Sequence, residues 1–450
     1  AELVDFAAAC CLDYATSIIA ESESDCPPSV GGTYVDAVPP TGANIVDGMR
    51  IFRVKRPPGS PPVFKAPYVA RGFSQRQGVD FFQTFSPTPK MTTLRVLLDI
   101  TAQREYELHS LDFSTAFLQG SLHKEIWPRR PRGFTVSFPV GTQWSLRWPV
   151  YGLRQAHREW HDTLRTTLVA LGFAPSTADP SLFLRTDTSL PPFYVLVYVD
   201  NLVFATTNTE ALALVKSEVQ KRHTCNDLGE LCSYLGLQII RDRARHTITL
   251  TQSHMVHQSI EPSGLYPELM GCLMYLMRCT RPDLAYPLSI LPRYVAPGRH
   301  RLEQWEAAKR VLRYLCSTSG MGLVLGGRGP VVLTGHVDAS WVDDLATQRS
   351  SQGYTFSLGS GSVSSRSTRS SSVLSSRREA EICAWAMAAQ ELHWLTYLLT
   401  NLGERPRSPP ILADSGNFSV ANQLYVLTVA LYVSSGQRSG TFDLRVTSDS

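Results

Sequence analysis

The chain has 450 residues, 43% hydrophobic and 18% charged, an ordinary globular composition and long enough for two or three cores. Lys+Arg 43 against Asp+Glu 39 leaves only +4, which excludes a histone-like polyanion binder, so any nucleic-acid contact must be made by a local patch. No apolar run approaches bilayer length, no signal-peptide series opens the chain, and the nine cysteines form no C-x-x-C or Cys/His ladder; a soluble, intracellular protein with reduced thiols is expected, neither secreted nor membrane-bound.

In chain order, the sequence starts at Ala1 and reads as a piece of a longer product, with residues 1–44, including "ESESDCPPSVGG", as leader and linker. From Ile45, "IFRVKR" and "FKAPYVARGF" flank the Pro/Gly-rich "PPGSPP" and predict a hairpin-like finger. Between Gly48 and Val79 lie Arg50, Arg53, Lys55, Arg56, Lys65, Arg71 and Arg76 with no acidic residue, either a solvated basic face or a phosphate-binding strip. "TTLRVLLDITAQRE" predicts a helix with Leu94, Leu97, Leu98 and Thr101 on one face and Thr92 as cap. "YELHSLDFSTAFLQG" follows as a strand ending at Asp112, and "HDTLRTTLVALGF" as a second helix stopped by Gly172. In "FYVLVYVDNLVFATTN", Tyr194 to Val199 reads as a buried strand and Leu202 to Ala205 as its returning partner. Asp200 and Asn201 are left as the two-residue turn, since both residue types tolerate φ > 0. "EALALVKSEVQKR" is a third helix, "SYLGLQIIRD" and "HTITLTQ" a strand pair, and "LEQWEAAKRVLRYLCST" an amphipathic helix. A second domain is expected from Val331 with the strand "VVLTGHVDAS". "SLGSGSVSSRSTRSSSVLSS" reads as linker or strand, "EAEICAWAMAAQELHWLTYLLTNLG" as a long buried helix, and residues 434–450 as a disordered tail.

Nucleotide polymerisation needs two divalent ions roughly 3.5–4 Å apart, bridged by carboxylates on rigid backbone. Asp112 at a strand end and Asp200 at a hairpin tip are candidates, provided that neighbouring strands bring them together. Each alone is a weak signal, because strand-end and turn aspartates are common.

The order and spacing of "FKAPYVARGFSQRQGVDFFQTFSPTPKMTTLRVLL", "ELHSLDFSTAFLQGSL", "VYGLRQAHREW", "YVLVYVDNLVFA", "DLGELCSYLGLQI" and "CLMYLMRCTRPDLAY" resemble the reverse transcriptases of copia-type LTR retrotransposons. "GHVDASWVDD", "RSSQGYTFSLG", "SSRREAEICAWAMAAQELHWLTYLL" and "ILADSGNF" resemble the RNase H that follows in those polyproteins. Together the motifs cover roughly residues 42–422. The resemblance implies an α+β fold: right-hand polymerase fingers and palm over 45–240, a shortened thumb and connection over 241–330, and a mixed-sheet RNase H-like α/β domain over 331–433. It implies that Asp112 and Asp200 bind Mg²⁺ or Mn²⁺, and that Phe117 stacks under the incoming sugar and excludes a 2′-hydroxyl. Gln155 would line the nucleotide pocket, Lys65 and Arg71 hold the triphosphate, and Gly236 support the primer end. Asp338, Glu381 and Asp414 would form a second two-metal site that cuts RNA, with Glu379 solvated on another helix face. Expected partners are an RNA or DNA template-primer, deoxynucleoside triphosphates and RNA:DNA hybrid, in a cytoplasmic virus-like particle or the nucleus; no oligomeric state is implied.

The sequence departs from the family at several of these points. The family's Tyr-x-Asp-Asp ends here in Asn201, a degraded ligand that keeps shape but loses a negative charge. Pro67 replaces a basic residue and removes a backbone donor, His157 replaces a proline, and Ser365 a tryptophan. A thumb segment is absent between "LTQSHMVHQ" and "EPSGLYPELMG". After Asp414 the chain offers "NQLYVLTVALYVSS", without the carboxylate of a fourth RNase H ligand. The expectation is an impaired polymerase with an incomplete RNase H; the rivals are an inert nucleic-acid-binding remnant and a relic with no function.

Overall fold

Short β-branched and aromatic runs bounded by turn residues build the framework that carries the candidate carboxylates. The computed structural model describes residues 2–4, 32–55, 63–65, 68–130, 140–260, 266–296, 298, 301–404 and 411–413. The stretch expected to be linker carries β1 (Tyr34–Ala37), and the stretch expected to be fingers carries β2 (Gly48–Arg50), β3 (Phe52–Lys55), β4 (Val63–Lys65) and β5 (Tyr68–Ala70). The expected finger hairpin is the antiparallel β3/β4 pair, and β2 pairs with β5. The expected linker is partly structured, because β1 pairs with the Gln143–Leu146 strand and Tyr34 stacks on Trp144 at 3.9 Å. Pro67, Asp414 and the 434–450 tail lie outside the described residues.

After α1 (Met91–Gln103) comes the palm sheet: β6 (Glu107–Phe113), then α2 (Ala156–Ala170), β7 (Phe173–Pro175), β8 (Leu182–Arg185), β9 (Phe193–Tyr198), β10 (Asn201–Thr206), α3 (Thr209–Arg222) and β11 (Cys225–Glu230). The strand order is β7-β8-β9-β10-β6-β11, with every neighbour antiparallel. Alternation sends Leu111, Phe113, Val195, Val197, Leu202 and Phe204 to one face, against α2 and α3. The other face sends Leu108, Tyr194, Leu196, Val203 and Ala205 against α1. Helix α1 is buried from Thr93 to Ala102 without a break, because it is enclosed on more than the one side that its leucine stripe suggested. Its start also differs from expectation. Lys90 is the N-cap and makes no side-chain cap bond, while the Thr93 hydroxyl donates to Asp179 at 2.6 Å. Gly172, at φ +85°, does stop α2.

A second antiparallel sheet joins β12 (Ser233–Tyr234), β13 (Leu237–Asp242), β14 (Thr247–Thr251) and β15 (Leu323–Gly326). Helices α4 (Ser253–Ile260), α5 (Tyr266–Cys279), α6 (Ala285–Ile290) and α7 (Leu302–Ser317) gather around Val256, Tyr266, Leu273, Leu276, Leu288 and Leu315 as a small core of their own, in the stretch expected to be thumb and connection. The point between Gln258 and Glu261 where a family segment is expected to be missing falls at the end of α4, and residues 261–265 just beyond it lie outside the described residues.

The C-terminal unit is a mixed sheet of β16 (Thr334–Asp344), β17 (Arg349–Ser357), β18 (Ser362–Arg369) and β19 (Ile411–Ala413), with α8 (Arg377–Asn401) packed on it. The serine-rich stretch is strand β18 and not a linker. Val337, Phe356, Trp385, Leu395 and Leu402 fall in one continuous core with the palm's Leu108, Tyr194 and Val203. Polar bonds reinforce the join: Tyr194 Oη donates to the Leu402 carbonyl at 2.6 Å, Arg104 chelates Glu404 at 2.9 and 2.8 Å, and Trp394 Nε1 donates to the Ala178 carbonyl at 3.0 Å. Among the described residues no helix is long and apolar enough to cross a membrane.

Candidate active site

The palm register answers whether two carboxylates distant in sequence can meet. Asp112 on β6 pairs directly with Asn201 on β10 and, on its other side, with Asn226 on β11; Asn201 in turn pairs with Tyr198 on β9. Residues directly opposite in a sheet share a face, so Tyr198, Asn201, Asp112 and Asn226 form one row across four strands. The turn is Val199–Asp200, one residue earlier than expected, and Asn201 is the first residue of β10. The Phe113 N–H donates to the Asp200 carbonyl at 2.7 Å, which fastens the turn beside the end of β6. Asp200 therefore lies next to the row, and Asn201 Nδ2 donates to its Oδ1 at 3.0 Å.

Val199 takes φ +51°, an unfavourable conformation for a β-branched residue that costs on the order of 1–3 kcal/mol. Its carbonyl accepts from the indole N–H of Trp160 at 2.5 Å, and Trp160 is fully buried between the sheet and α2. The packed core thus holds the strained hairpin tip. Beneath the sheet, buried Lys216 donates to Asp227 at 2.7 Å and to His109 at 2.9 Å; burial, and then the Lys216 charge, keeps the His109 imidazole below its usual pKa. Cys225, beside the row, has its thiol pushed up to about 11 by burial first, then by the charges of Asp227 and Asp112.

Phe117 is 4% exposed, and its ring meets Tyr151 and His157 edge-on, each at 4.7 Å. Gln155 is also buried, and both ends of its amide are engaged: Gln75 Nε2 donates to Oε1 at 3.0 Å, and its own Nε2 donates to the Asp80 carbonyl at 3.2 Å. It ties the 75–80 loop to the start of α2 and does not stand open at a pocket. Arg71 Nη1 is paired with Asp47 at 2.9 Å. One cation of the acid-free run is therefore paired with Asp47, which just precedes it. Lys65 pairs with Arg53 through the β3/β4 backbone; its side chain lies outside the described residues. Gly236 at φ +73° and Leu235 at φ +49° form the turn between β12 and β13, and Tyr275 Oη donates to the Leu235 carbonyl. This turn and Tyr198 border a cavity of about 390 Å³ lined also by Lys90, Tyr234, Tyr275 and Arg278. No local sequence signal marks that cavity, which depends on long-range pairing.

In the C-terminal unit Asp338 lies exposed on β16, and Glu381 is half-buried on α8, which packs against β16. The parallel β16/β19 register ends at Val337↔Ala413, and the adjoining Asp414 lies outside the described residues. Glu379 is not a merely solvated neighbour. Its carboxylate accepts the N–H and Oγ–H of Ser375 at 2.6 and 2.7 Å, while its own N–H donates to the N-cap Ser376 hydroxyl at 3.2 Å.

Among the described residues no group of three or more His, Cys, Asp and Glu is placed to hold a metal ion. Asp112 and Asp200 still offer two hard carboxylates on strand-anchored backbone, a donor set that fits one Mg²⁺ or Mn²⁺. For a second ion the row adds only neutral side chains: Tyr198, Asn226, whose Nδ2 donates to the Ser114 hydroxyl at 3.2 Å, and Asn201, whose amide N–H already faces Asp200.

Residues 37–270 match the family model described as reverse transcriptase (RNA-dependent DNA polymerase). Over 421 residues the chain is 30% identical to the Retrovirus-related Pol polyprotein from transposon TNT 1-94 of Nicotiana tabacum, covering 85% of this chain and 31% of that protein. Over 448 residues it is 32% identical to the Pol polyprotein from transposon RE2 of Arabidopsis thaliana, covering 89% of this chain and 30% of that one. It thus spans about a third of the length of these curated relatives. A foamy viral protease-reverse transcriptase, solved in complex with dsDNA, shares the fold at TM-score 0.53 and 12% identity, over 97% of this chain and 82% of that one. The palm register and the family match agree: the chain belongs to the reverse transcriptase (RNA-dependent DNA polymerase) family and resembles plant copia-type Pol polyproteins along most of its length.

Proposed function

We propose that this chain is the polymerase portion of a retrotransposon polyprotein, extending a primer on an RNA or DNA template from deoxynucleoside triphosphates, and that Asn201 slows it. The observation that carries the reading is the row in which Asp112 faces Asn201 with Asp200 fastened beside it. Asp112 and Asp200 would hold a divalent cation, which when bound activates the primer hydroxyl and neutralises the leaving phosphates. Phe117, held edge-on by Tyr151 and His157, forms the wall that limits room at the sugar. Asn201 orients Asp200 through its amide, yet leaves one charge missing. At an effective dielectric near 20, unit charges 4 Å apart interact by about 4 kcal/mol. Losing even part of that costs on the order of a hundredfold in rate, at about 1.4 kcal/mol per tenfold.

The mixed C-terminal sheet, with Asp338 and Glu381 on adjoining elements, supports an RNase H-like reading with RNA:DNA hybrid as its substrate. The run "NQLYVLTVALYVSS" after Asp414, which contains no carboxylate, argues for weak or absent cleavage there. The proposed setting is intracellular. RNA-templated primer extension tests the polymerase reading. A low but measurable extension is expected, and Asp112→Asn should reduce it at least a further hundredfold by removing one of the two remaining ligand charges. Extension unaffected by Asp112→Asn would remove the palm row from the chemistry.

A further inference from the structure

The C-terminal unit touches the polymerase sheet at a point remote from its own candidate carboxylates. Trp394, Tyr397 and Asn401 are spaced three and four residues apart on α8 and so share one helix face. All three bond to the turn between β7 and β8. Trp394 Nε1 donates to the Ala178 carbonyl at 3.0 Å, Tyr397 Oη donates to the Thr177 hydroxyl at 2.6 Å, and Asn401 Oδ1 accepts from the Ser176 and Thr177 hydroxyls at 3.2 Å each. Asp179, the next residue of that turn, holds the start of α1: its carboxylate accepts the Lys90 N–H at 3.1 Å and the Thr93 hydroxyl at 2.6 Å. One short turn thus brings α8 against the start of α1, and the Lys90 ammonium stands 3.9 Å from the centre of the Trp394 ring, a cation–π contact.

Lys90 also lines the cavity of about 390 Å³ that reaches Tyr198 of the row and Leu235 of the β12/β13 turn. Among the residues lining it, Lys90 and Arg278 are charged and none is acidic. The acid beside Lys90, Asp179, is buried and already accepts the Lys90 N–H, the Thr93 hydroxyl and the Ser181 N–H. Tyr234 adds a donor to the same cavity: its side chain is 4% exposed, and its hydroxyl has no hydrogen-bond partner among the described residues. Cations and a hydroxyl without an opposing carboxylate suit a phosphate. The C-terminal unit braces this cavity at a second point, because buried Arg95 on α1 joins the Val363 carbonyl of β18 at 3.4 Å to the Cys279 carbonyl at the cavity wall at 3.1 Å.

We propose that Trp394, on the C-terminal unit, is a positioning residue for the polymerase: its ring holds the Lys90 ammonium at the cavity, where Lys90 meets a backbone phosphate of the primer-template duplex. An exposed lysine otherwise spreads over many rotamers, and a ring fixed through its indole N–H restricts that spread. The proposal rests on the polymerase reading and extends it, since the C-terminal unit then serves polymerisation whether or not it cleaves RNA. A Trp394 that only packs α8 against the palm is the competing outcome.

The test is equilibrium binding of a fluorescent primer-template duplex over a series of salt concentrations, without nucleotides. A cation that meets one phosphate contributes about 0.9 to the slope of log K against log salt. Lys90→Gln should therefore flatten that slope by about 0.9 and weaken binding several-fold at low salt. Trp394→Leu should reproduce both changes, whereas Trp394→Phe, which keeps a ring against the ammonium, should behave as the parent. In the Lys90→Gln background Trp394→Leu should add nothing, because the two residues act as one unit. Trp394→Met serves if Trp394→Leu fails to fold, and failure of both to fold would overturn the proposal in favour of a structural role. A parental slope in Lys90→Gln or in Trp394→Leu, or a further loss of affinity when Trp394→Leu is added to Lys90→Gln, would also overturn it while leaving the polymerase reading intact. Failure of the parent to bind primer-template at any salt would instead defeat the polymerase reading on which the proposal rests.

Discussion

Asn201 differs from an aspartate by one oxygen and one charge, and its position in the row decides what that difference means. Opposite Asp112 and bonded to Asp200, it keeps the row's geometry and, on the proposed reading, weakens the pull on a dication. The sequence pointed to this residue but misplaced the turn by one position. Asp and Asn were assigned to the turn because they tolerate positive φ, whereas the fold places Val199 there and holds it with Trp160. A bond between residues 39 apart in sequence outweighed local propensity, which no pattern around the hairpin could show. Buried polar anchors were equally hidden. Asp99 on α1 accepts the Gly326 N–H at 2.8 Å and also the Gln103 amide, and burial pushes its pKa up to about 6 despite those bonds. A raised pKa means that the folded state prefers the protonated acid, so the stability it contributes is present below the unfolded value near 4 and is lost as pH rises through about 6. His109, His161 and His223, all depressed by burial, act in the opposite direction, losing stability as pH falls through their folded values. The difference between parent and Asp99→Asn isolates the carboxyl. Between pH 4 and 7 the parent should lose up to about 3 kcal/mol relative to the variant, read from urea midpoints; parallel pH profiles would contradict this.

At the scale of elements, long periodic segments were legible and their boundaries were not. α3, α7 and α8 stand where the apolar spacing put them, and the β9/β10 and β13/β14 pairs match the expected hairpins. Helix α1 read as one-faced because its leucine stripe was visible, while burial of Arg95 and Asp99 on its other sides depends on partners from distant segments. The serine-rich β18 could be read as linker or strand from its sequence, because the strand here relies on pairing with β17 and not on apolar content. α8 shows a cap that the sequence reading passed over: Ser376 accepts the Glu379 N–H, and Glu379 reaches back to Ser375. Ser376→Ala should cost about 1 kcal/mol of stability, seen as a lower urea midpoint with an unchanged slope. An unaltered midpoint would mean that the cap contributes nothing to holding Glu381 and its helix.

Across the whole molecule, the polymerase sheet and the C-terminal unit share one apolar core, and the sequence reading of two domains meeting at residue 331 did not foresee it. Motif order revealed both units; their joint burial around α1 arises from contacts such as Tyr194 to Leu402 and Arg104 to Glu404, whose partners are far apart in sequence. Removing residues after 330 would bare Tyr194, which donates to the Leu402 carbonyl, and the side of α1 whose Arg95 reaches the Val363 carbonyl. The truncated chain should therefore be digested under limited proteolysis conditions that leave the full chain intact, whereas a protease-resistant 1–330 product would show that the palm stands alone. The central claim, that a nearly assembled polymerase site is slowed by one missing charge, is tested most directly by comparing RNA-templated primer extension by the parent and its Asn201→Asp variant, with Mg²⁺ and with Mn²⁺. The account predicts that the variant extends at least about a hundredfold faster while binding primer-template equally well. Equal and negligible extension by both proteins, with binding retained, would contradict it and place the defect outside the palm row.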